Sequence, residues 1–400
     1  MSEHTVYYFD NNATTRIAPE VVEAMLPYLT EHWGNPSSSY RFGQQLSTTL
    51  ATAREQVANL INADPREIIF NSCGTEGNNT ALHTALLSRP GKRHLITTAV
   101  EHSANIKFCQ NHEKRGGDVT WIPVDRAGQI DVHAIHEAIR EDTAMVSVML
   151  ANNETGVIFP IEEIAAICRA RDVLFHTDAV QTAGKLPLDV KAMGVDYLSL
   201  SAHKLHAPKG IGLLYARQGV PWQSYLMGGG QEYGRRGGTE NVAQIIAFGK
   251  AAEMATASMQ EYVPRIRALR NRMEEDIMAT IPEVTCNGAK DPRLPNTSNL
   301  SFADCEAEAI LLLLDRQGIC ASSGSACTTG SLAPSHVLTA MGVSQELALA
   351  SVRLSLSKYS TEEEVDHLLA VLPGIINRLR GTCSKEQTRA LSGSVEKVNK

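Results

Sequence analysis

Apolar residues recur at helical spacing along much of the chain, and short apolar runs fill the intervals between them. Leu46, Leu50, Ala53, Val57 and Ile61 mark one face of a predicted helix. The run Glu67–Phe70 then predicts a strand, and a helix through Leu82, Ala85 and Leu86 follows it. Further strands are predicted at His94–Thr98, Met145–Ala151, Val173–His176, Tyr197–Ser201 and Gly210–Tyr215. Helical patterns through Val132, Ile135 and Ile139, and through Ile161, Ile164 and Cys168, separate them. Strands and helices in alternation predict an α/β fold with a mostly parallel sheet covered on both faces. Helical pattern dominates from Asn241 to about Ile281, with an interruption predicted near Pro264, and carries the chain out of this first unit. A smaller α/β unit follows, with strands at Thr297–Phe302, Ile319–Ser322 and Ser351–Ser357 and helices at Glu306–Gln317 and Thr361–Arg380. Thr361 and Glu364 have capping-box spacing at the start of the last helix. From Gly381 to Lys400 the chain is polar, and a mobile tail is expected.

The length of 400 residues exceeds what one hydrophobic core usually spans. A net charge of -7 argues against a protein built to neutralise nucleic-acid phosphates or an anionic membrane, so neither is an expected partner. The start lacks a basic stretch followed by an apolar run, and Ala309–Leu314 is far short of the ~20 apolar residues of a membrane span. A cytoplasmic location is expected. The eight cysteines show no Cys-x-x-Cys and no zinc-ligand spacing, so free, mostly buried thiols and no resident metal are expected. Cys327 is the exception.

Candidate chemistry lies at the strand ends, where ligands of parallel sheets bind. Ser72-Cys73-Gly74-Thr75 before a helix suits a phosphate, although Ser and Thr are also ordinary helix caps. His102 follows one strand. Asp178 follows another, and a carboxylate there requires a cation or serves as a cap. Ser201, His203 and Lys204 arrive together at the end of Tyr197–Ser201; a pocket lysine can form a Schiff base with a carbonyl. Ser322–Ser335 is built of Ser, Gly, Ala and Thr, too small to anchor a core, and Cys327 sits within it. A thiol on such a mount is a liability unless it is used.

In this order, these residues resemble the class V aminotransferase group of pyridoxal-phosphate (PLP) enzymes, of fold type I. Within it the chain most resembles the NifS-like cysteine desulfurases. The resemblance runs from Tyr8-Phe9-Asp10-Asn11-Asn12-Ala13-Thr14-Thr15 to the helix ending near Arg380. It includes His176-x-Asp178-x-x-Gln181, Ser201-x-His203-Lys204, Asn152-Asn153-Glu154-Thr155-Gly156, Arg235-Arg236-Gly237-Gly238-Thr239 and Ser322-Ser323-Gly324-Ser325-Ala326-Cys327. Ala207 stands where many relatives have glycine and marks the nitrogen-fixation branch. Cys305-Glu306-Ala307-Glu308 and Gly230 depart from that branch's pattern away from the assigned catalytic positions.

The resemblance implies a large PLP-binding domain (15–260) with a mostly parallel seven-stranded sheet. It also implies a small domain (1–14 and 261–380) that carries the cysteine loop. Lys204 is then the residue that bonds the cofactor aldehyde. Asp178 pairs with the pyridinium nitrogen, His102 stacks on the ring, and Gln181 meets the phenolic oxygen. Gly74, Thr75, Ser201 and His203 hold the phosphate, with Thr239 reaching it from the second subunit of a homodimer. Asn153 and Arg353 receive the carboxylate of L-cysteine. Lys204, Cys327 and His102 are the catalytic set, and alanine is the product. Cys327 passes the sulfur as a persulfide to an iron–sulfur scaffold protein, and would touch a cluster only during transfer. General cluster assembly and nitrogenase cofactor maturation remain alternative destinations. An aminotransferase or selenocysteine lyase of the same fold, or a non-catalytic partner that keeps only the fold, are the competing readings. The first has no need of the Cys327 loop, and the last would have lost Lys204 or Cys327.

Overall fold

A computed structural model describes residues 5–323 and 333–396, with side chains through residue 381. The strands in chain order are β1 (Tyr7–Tyr8), β2 (Ile68–Asn71), β3 (His94–Thr98), β4 (Asp118–Ile122), β5 (Thr143–Ser147), β6 (Leu174–Asp178), β7 (Tyr197–Ser201), β8 (Gly212–Ala216), β9 (Val284–Cys286), β10 (Thr297–Phe302), β11 (Ile319–Cys320) and β12 (Ser351–Ser355). Seven of them form the main sheet in the order β2-β8-β7-β6-β5-β3-β4. Only β8 runs against its neighbours. Helices cover both faces, so the central strands are buried along their whole length and cannot show a polar face.

Polar residues in these strands are accommodated by bonding to one another. The His176 ring on β6 bridges Ser147 Oγ on β5 (2.8 Å) and Ser199 Oγ on β7 (3.0 Å). Burial holds its pKa down to about 4, so the ring is neutral and serves both hydroxyls. This cross-strand tie lies one turn of the pleat below Asp178 and Ser201, which end β6 and β7. Gly212 on β8 allows the return strand to close beside it: a Cβ there would meet Leu200 O at 2.7 Å and Asn71 Oδ1 at 2.8 Å.

The second core gathers Phe9 with Ile266–Ile376, around the three-stranded sheet β12-β10-β9 and the pair β1-β11. The helix Val242–Thr280 belongs to both cores, with Ile245–Ala255 buried in the first and Ile266–Ile277 in the second. It continues through Pro264, where the pattern predicts an interruption. One lost amide donor is outweighed by packing on either side. Val337, Leu338, Met341 and Ala348 pack on the larger core although the chain around them serves the smaller one.

Other differences are local. β5 begins two residues before the predicted Met145 and ends at Ser147. β4 and β9 carry mixed residues, half exposed, and give no clean alternation. Thr361 and Glu364 form the capping box, each backbone N–H bonded by the other's side chain at 3.2 Å. The helix beyond it runs Glu362–Glu396, past the predicted end at Arg380. Six of the seven residues of Lys385–Leu391, all but Thr388, are good helix formers, and no proline stops it. Cys109 and Cys168 are buried as expected, whereas Cys73, Cys286, Cys305 and Cys320 are partly exposed. No helix among the described residues is long and apolar enough to cross a membrane.

Candidate active site

A cavity of about 350 Å³ opens at the carboxyl ends of the central strands. Gly74, Thr75, His102, Asn153, Asp178, Gln181, Ser201, His203, Lys204 and Arg353 all line it, so ten of the residues singled out from sequence converge there. Thr239 is exposed and does not line this cavity. Cys327 lies outside the described residues.

Lys204 closes the short turn Ala202–Lys204 that follows β7. Its Nζ donates to Asn12 O (2.5 Å) and Ala13 O (2.6 Å). The same N-terminal segment grips the turn from behind. Thr15 N and Oγ1 both donate to His203 O, and His206 N donates to Thr15 Oγ1. His203 Nδ1 meets Thr14 Oγ1 at 3.1 Å. Burial first, then the cations Lys204, Lys209 and Lys185, pull the His203 pKa down to about 4, leaving a neutral ring.

Asp178 ends β6, 6% exposed. One oxygen accepts from Val180 N (3.0 Å) and the other from Asn78 Nδ2 (2.6 Å). Asn78 comes from the helix Gly74–Ser88, and its own Oδ1 is buried with no partner among the described residues. The first residue of that helix is glycine because a Cβ there would lie 2.6 Å from Val180 Cγ2. The helix amides, Thr75, Ser201 and His203 thus share one corner of the cavity.

His102 caps the helix Ser103–Lys114, its Nδ1 accepting from Ala104 N at 3.2 Å. A neutral ring therefore carries its proton on Nε2. Behind it Glu101 is fully buried, accepting from Thr98, Asn105 and Met149, and burial pushes its pKa up to about 8.

Arg353 projects from β12. Nη2 donates to Asp10 Oδ1 (2.7 Å), Nη1 donates to Asn153 O (3.0 Å), and Nε has no partner among the described residues. Asn12 Nδ2 also donates to Asn153 O, at 3.1 Å. The chain on either side of the Cys327 segment is tied to these same residues. Ser322 exchanges backbone bonds with Arg353, and Ser335 Oγ donates to Glu154 Oε2 at 2.5 Å.

Asn12 and Ala13, Asn78 and Asp10 are residues supporting the site that the sequence reading missed. Asp10–Thr15 matches the family motif, but nothing in its composition says that its carbonyls receive a lysine 191 and 192 residues away. Asn78 lies four residues into a helix, where an Asn reads as an exposed polar position.

Comparison with known proteins agrees with the geometry. The Aminotransferase class-V family model matches residues 7–368. "Cysteine desulfurase 2" of Trichormus variabilis is 53% identical over 98% of this chain and 99% of that protein. "Cysteine desulfurase NifS" of Azotobacter vinelandii is 49% identical over 93% of each chain. A solved structure titled "NIFS-LIKE PROTEIN" superposes with a TM-score of 0.88 at 38% identity, over 93% of this chain and all of that one. The chain belongs to the class V aminotransferase family, in its NifS-like cysteine desulfurase branch.

Proposed function

We propose that this protein converts L-cysteine to L-alanine with PLP as its cofactor and passes the sulfur on as a persulfide of Cys327. The observation that carries the proposal is the single cavity in which an inward lysine, a held carboxylate, a helix N-terminus and a partly unsatisfied arginine converge. PLP fits this donor set. Gly74, Thr75, Ser201 and His203 suit its phosphate, Asp178 its pyridinium nitrogen, Gln181 its phenolic oxygen, His102 its ring face and Lys204 its aldehyde. The close approach at Gly74, where a Cβ would lie 2.6 Å from Val180 Cγ2, supports this reading.

When bound, the cofactor supplies an electron sink for the substrate's α-carbon. The chain's own residues do the rest. Arg353 is held by Asp10 on Nη2 and by Asn153 O on Nη1, and the second hydrogen of each of these nitrogens is what it offers the substrate carboxylate; Asn153 stands beside it. Lys204 Nζ, lifted from the Asn12 and Ala13 carbonyls, takes the α-proton. His102 holds a proton on Nε2, facing the cavity. Cys327 thiolate attacks the substrate sulfur, so an S–S bond forms, the substrate Cβ–S bond breaks and alanine leaves after protonation. Cys327 lies five residues from Ser322, which is bonded to Arg353's backbone; that length of chain spans up to about 17 Å. The acceptor is an iron–sulfur scaffold protein, serving general cluster assembly or nitrogenase maturation.

The working form is a cytoplasmic homodimer. Thr239 is exposed, outside its own chain's cavity, in a segment held by the buried pair Arg54–Glu232 and the partly buried pair Arg236–Glu76. Met227 and Tyr233 nearby are 84% and 68% exposed, a patch suited to a second copy.

Mass spectrometry of protein incubated with L-cysteine tests the proposal. One added sulfur is expected on the peptide containing Cys327, with alanine as the co-product. Cys327→Ser should still bind PLP and L-cysteine but release no alanine. Sulfur on another cysteine, or alanine at the normal rate from Cys327→Ser, refutes the mechanism.

A further inference from the structure

Lys204 forms part of the wall between two cavities. In front is the active-site cavity; behind is a small space of about 30 Å³, lined among others by Lys185, His206, Tyr262, Asn296 and Lys358. Lys185 follows the turn after β6, four residues beyond Gln181, and belongs to no part of the reading above. Its Nζ donates to Gln181 O (3.0 Å) and to Gln181 Oε1 (3.2 Å). Gln181 is buried, and its Nε2 donates to Asn12 O at 2.9 Å.

A primary amide can present either a carbonyl or an N–H₂ to a ligand, and the sequence does not say which. Here the choice is made from behind. An ammonium or amine on Oε1 and a backbone carbonyl on one Nε2 hydrogen leave only the second Nε2 hydrogen for the cavity. The reversed amide would set its N–H₂ against Lys185 and its carbonyl against Asn12 O, losing both bonds inside the protein, where unsatisfied polar groups are costly. We propose that Lys185 is a positioning residue that locks Gln181 as a hydrogen-bond donor into the active site, so that the group held there must present a hydrogen-bond acceptor. This deepens the cofactor reading and rests on it, since the phenolic oxygen of PLP is the acceptor concerned.

The charged and titratable groups facing Lys185 are His203, Lys204 and His206 from the segment after β7, Tyr262 from the helix Val242–Thr280, Arg353 from β12 and Lys358 beyond it. No carboxylate among the described residues lines the rear cavity. Burial, then Lys204 and Arg353, bring its pKa down to about 7, and in either protonation state its Nζ can donate to Oε1. Lys185 is thus a donor that does not pair with a charge, which is what holding an amide requires.

The readout is the pH midpoint of the near-visible absorbance of the PLP-loaded protein, which reports the nitrogen of Lys204 and its phenolate partner rather than turnover. Lys185→Met keeps the stem and removes the donor. Gln181 can then turn its carbonyl towards the phenolate, and that change favours protonation. The midpoint is expected to rise by about one pH unit, and PLP to bind more weakly to the apoprotein. Lys185→Gln, a neutral donor, should restore the midpoint. In a Gln181→Met background, Lys185→Met should move the midpoint by no more than a few tenths, because the two act as one unit. If Lys185→Met does not fold, Lys185→Thr, too short to reach Oε1, takes its place with the same expected shift. An unmoved midpoint in the donor-less variant overturns the inference, as does an equal shift in Lys185→Gln or a full shift in the Gln181→Met background. A parent protein with no near-visible band removes the cofactor reading itself; a band that stays put removes this inference alone.

Discussion

Replacing Arg353 with lysine separates binding from chemistry more cleanly than any truncation. In the structure the guanidinium is 3% exposed and serves two fixed partners, Asp10 at 2.7 Å and Asn153 O at 3.0 Å, before any substrate arrives. Arg353→Met would leave Asp10 facing an apolar chain, and breaking such a pair costs about 3–5 kcal/mol of stability. Arg353→Lys keeps the positive charge opposite Asp10 and so keeps the fold. A single ammonium cannot reproduce the planar fork that reaches Asp10, Asn153 O and a carboxylate at once. At least one charge-assisted bond to the substrate is lost, about 1.5–3 kcal/mol. At 1.4 kcal/mol per factor of ten, KM for L-cysteine should rise about 10- to 100-fold. Lys204, His102 and Cys327 are untouched, so kcat should stay within about threefold. Initial rates of alanine formation under reductant, together with titration of the near-visible band by L-cysteine, give both numbers. A KM within threefold of the parent refutes the carboxylate role, and so does a large fall in kcat at unchanged KM.

Lys204→Ala should lose the near-visible band and essentially all alanine formation while keeping its thermal midpoint near the parent's; a retained band would place the cofactor elsewhere. His206 is buried and its pKa is held down to about 4, by burial first, against about 6.5 in the unfolded chain. Between those values the unfolded state binds the extra proton, so this group's contribution is full above pH 6.5 and is lost as pH falls towards 4, about 3 kcal/mol at most. His206→Asn should therefore lose less stability on acidification over that window, as read by thermal unfolding at a series of pH values; equal losses would contradict the assignment. Sedimentation should show a dimer at working concentrations, and Thr239→Ala should weaken PLP binding; a fully active monomer would remove the shared-site reading.

Much of this protein was legible in the order of its residues. Short runs built on Leu, Ile, Phe and Tyr between helical patterns make β3, β6 and β7 legible even though His, Ser and Thr are set among them, and the polar residues gathered at their carboxyl ends stand out with them. Lys204, Asp178 and Ser201 are conspicuous for that reason. Strands that are half exposed and mixed in composition, such as β4 and β9, carry no such signal. Pro264 shows the reverse error: local chemistry argues for a break, and two cores packed on one helix overrule it. What only the tertiary structure decides is the set of contacts between distant segments. The carbonyls of Asn12 and Ala13 meet Lys204, Asn78 steadies Asp178, Asp10 occupies one edge of Arg353, and Lys185 settles which end of Gln181 faces the cavity. Each of these is a hydrogen bond whose partner is set by where the backbone has been brought. A side chain's identity states what it can donate or accept; only the fold states to whom.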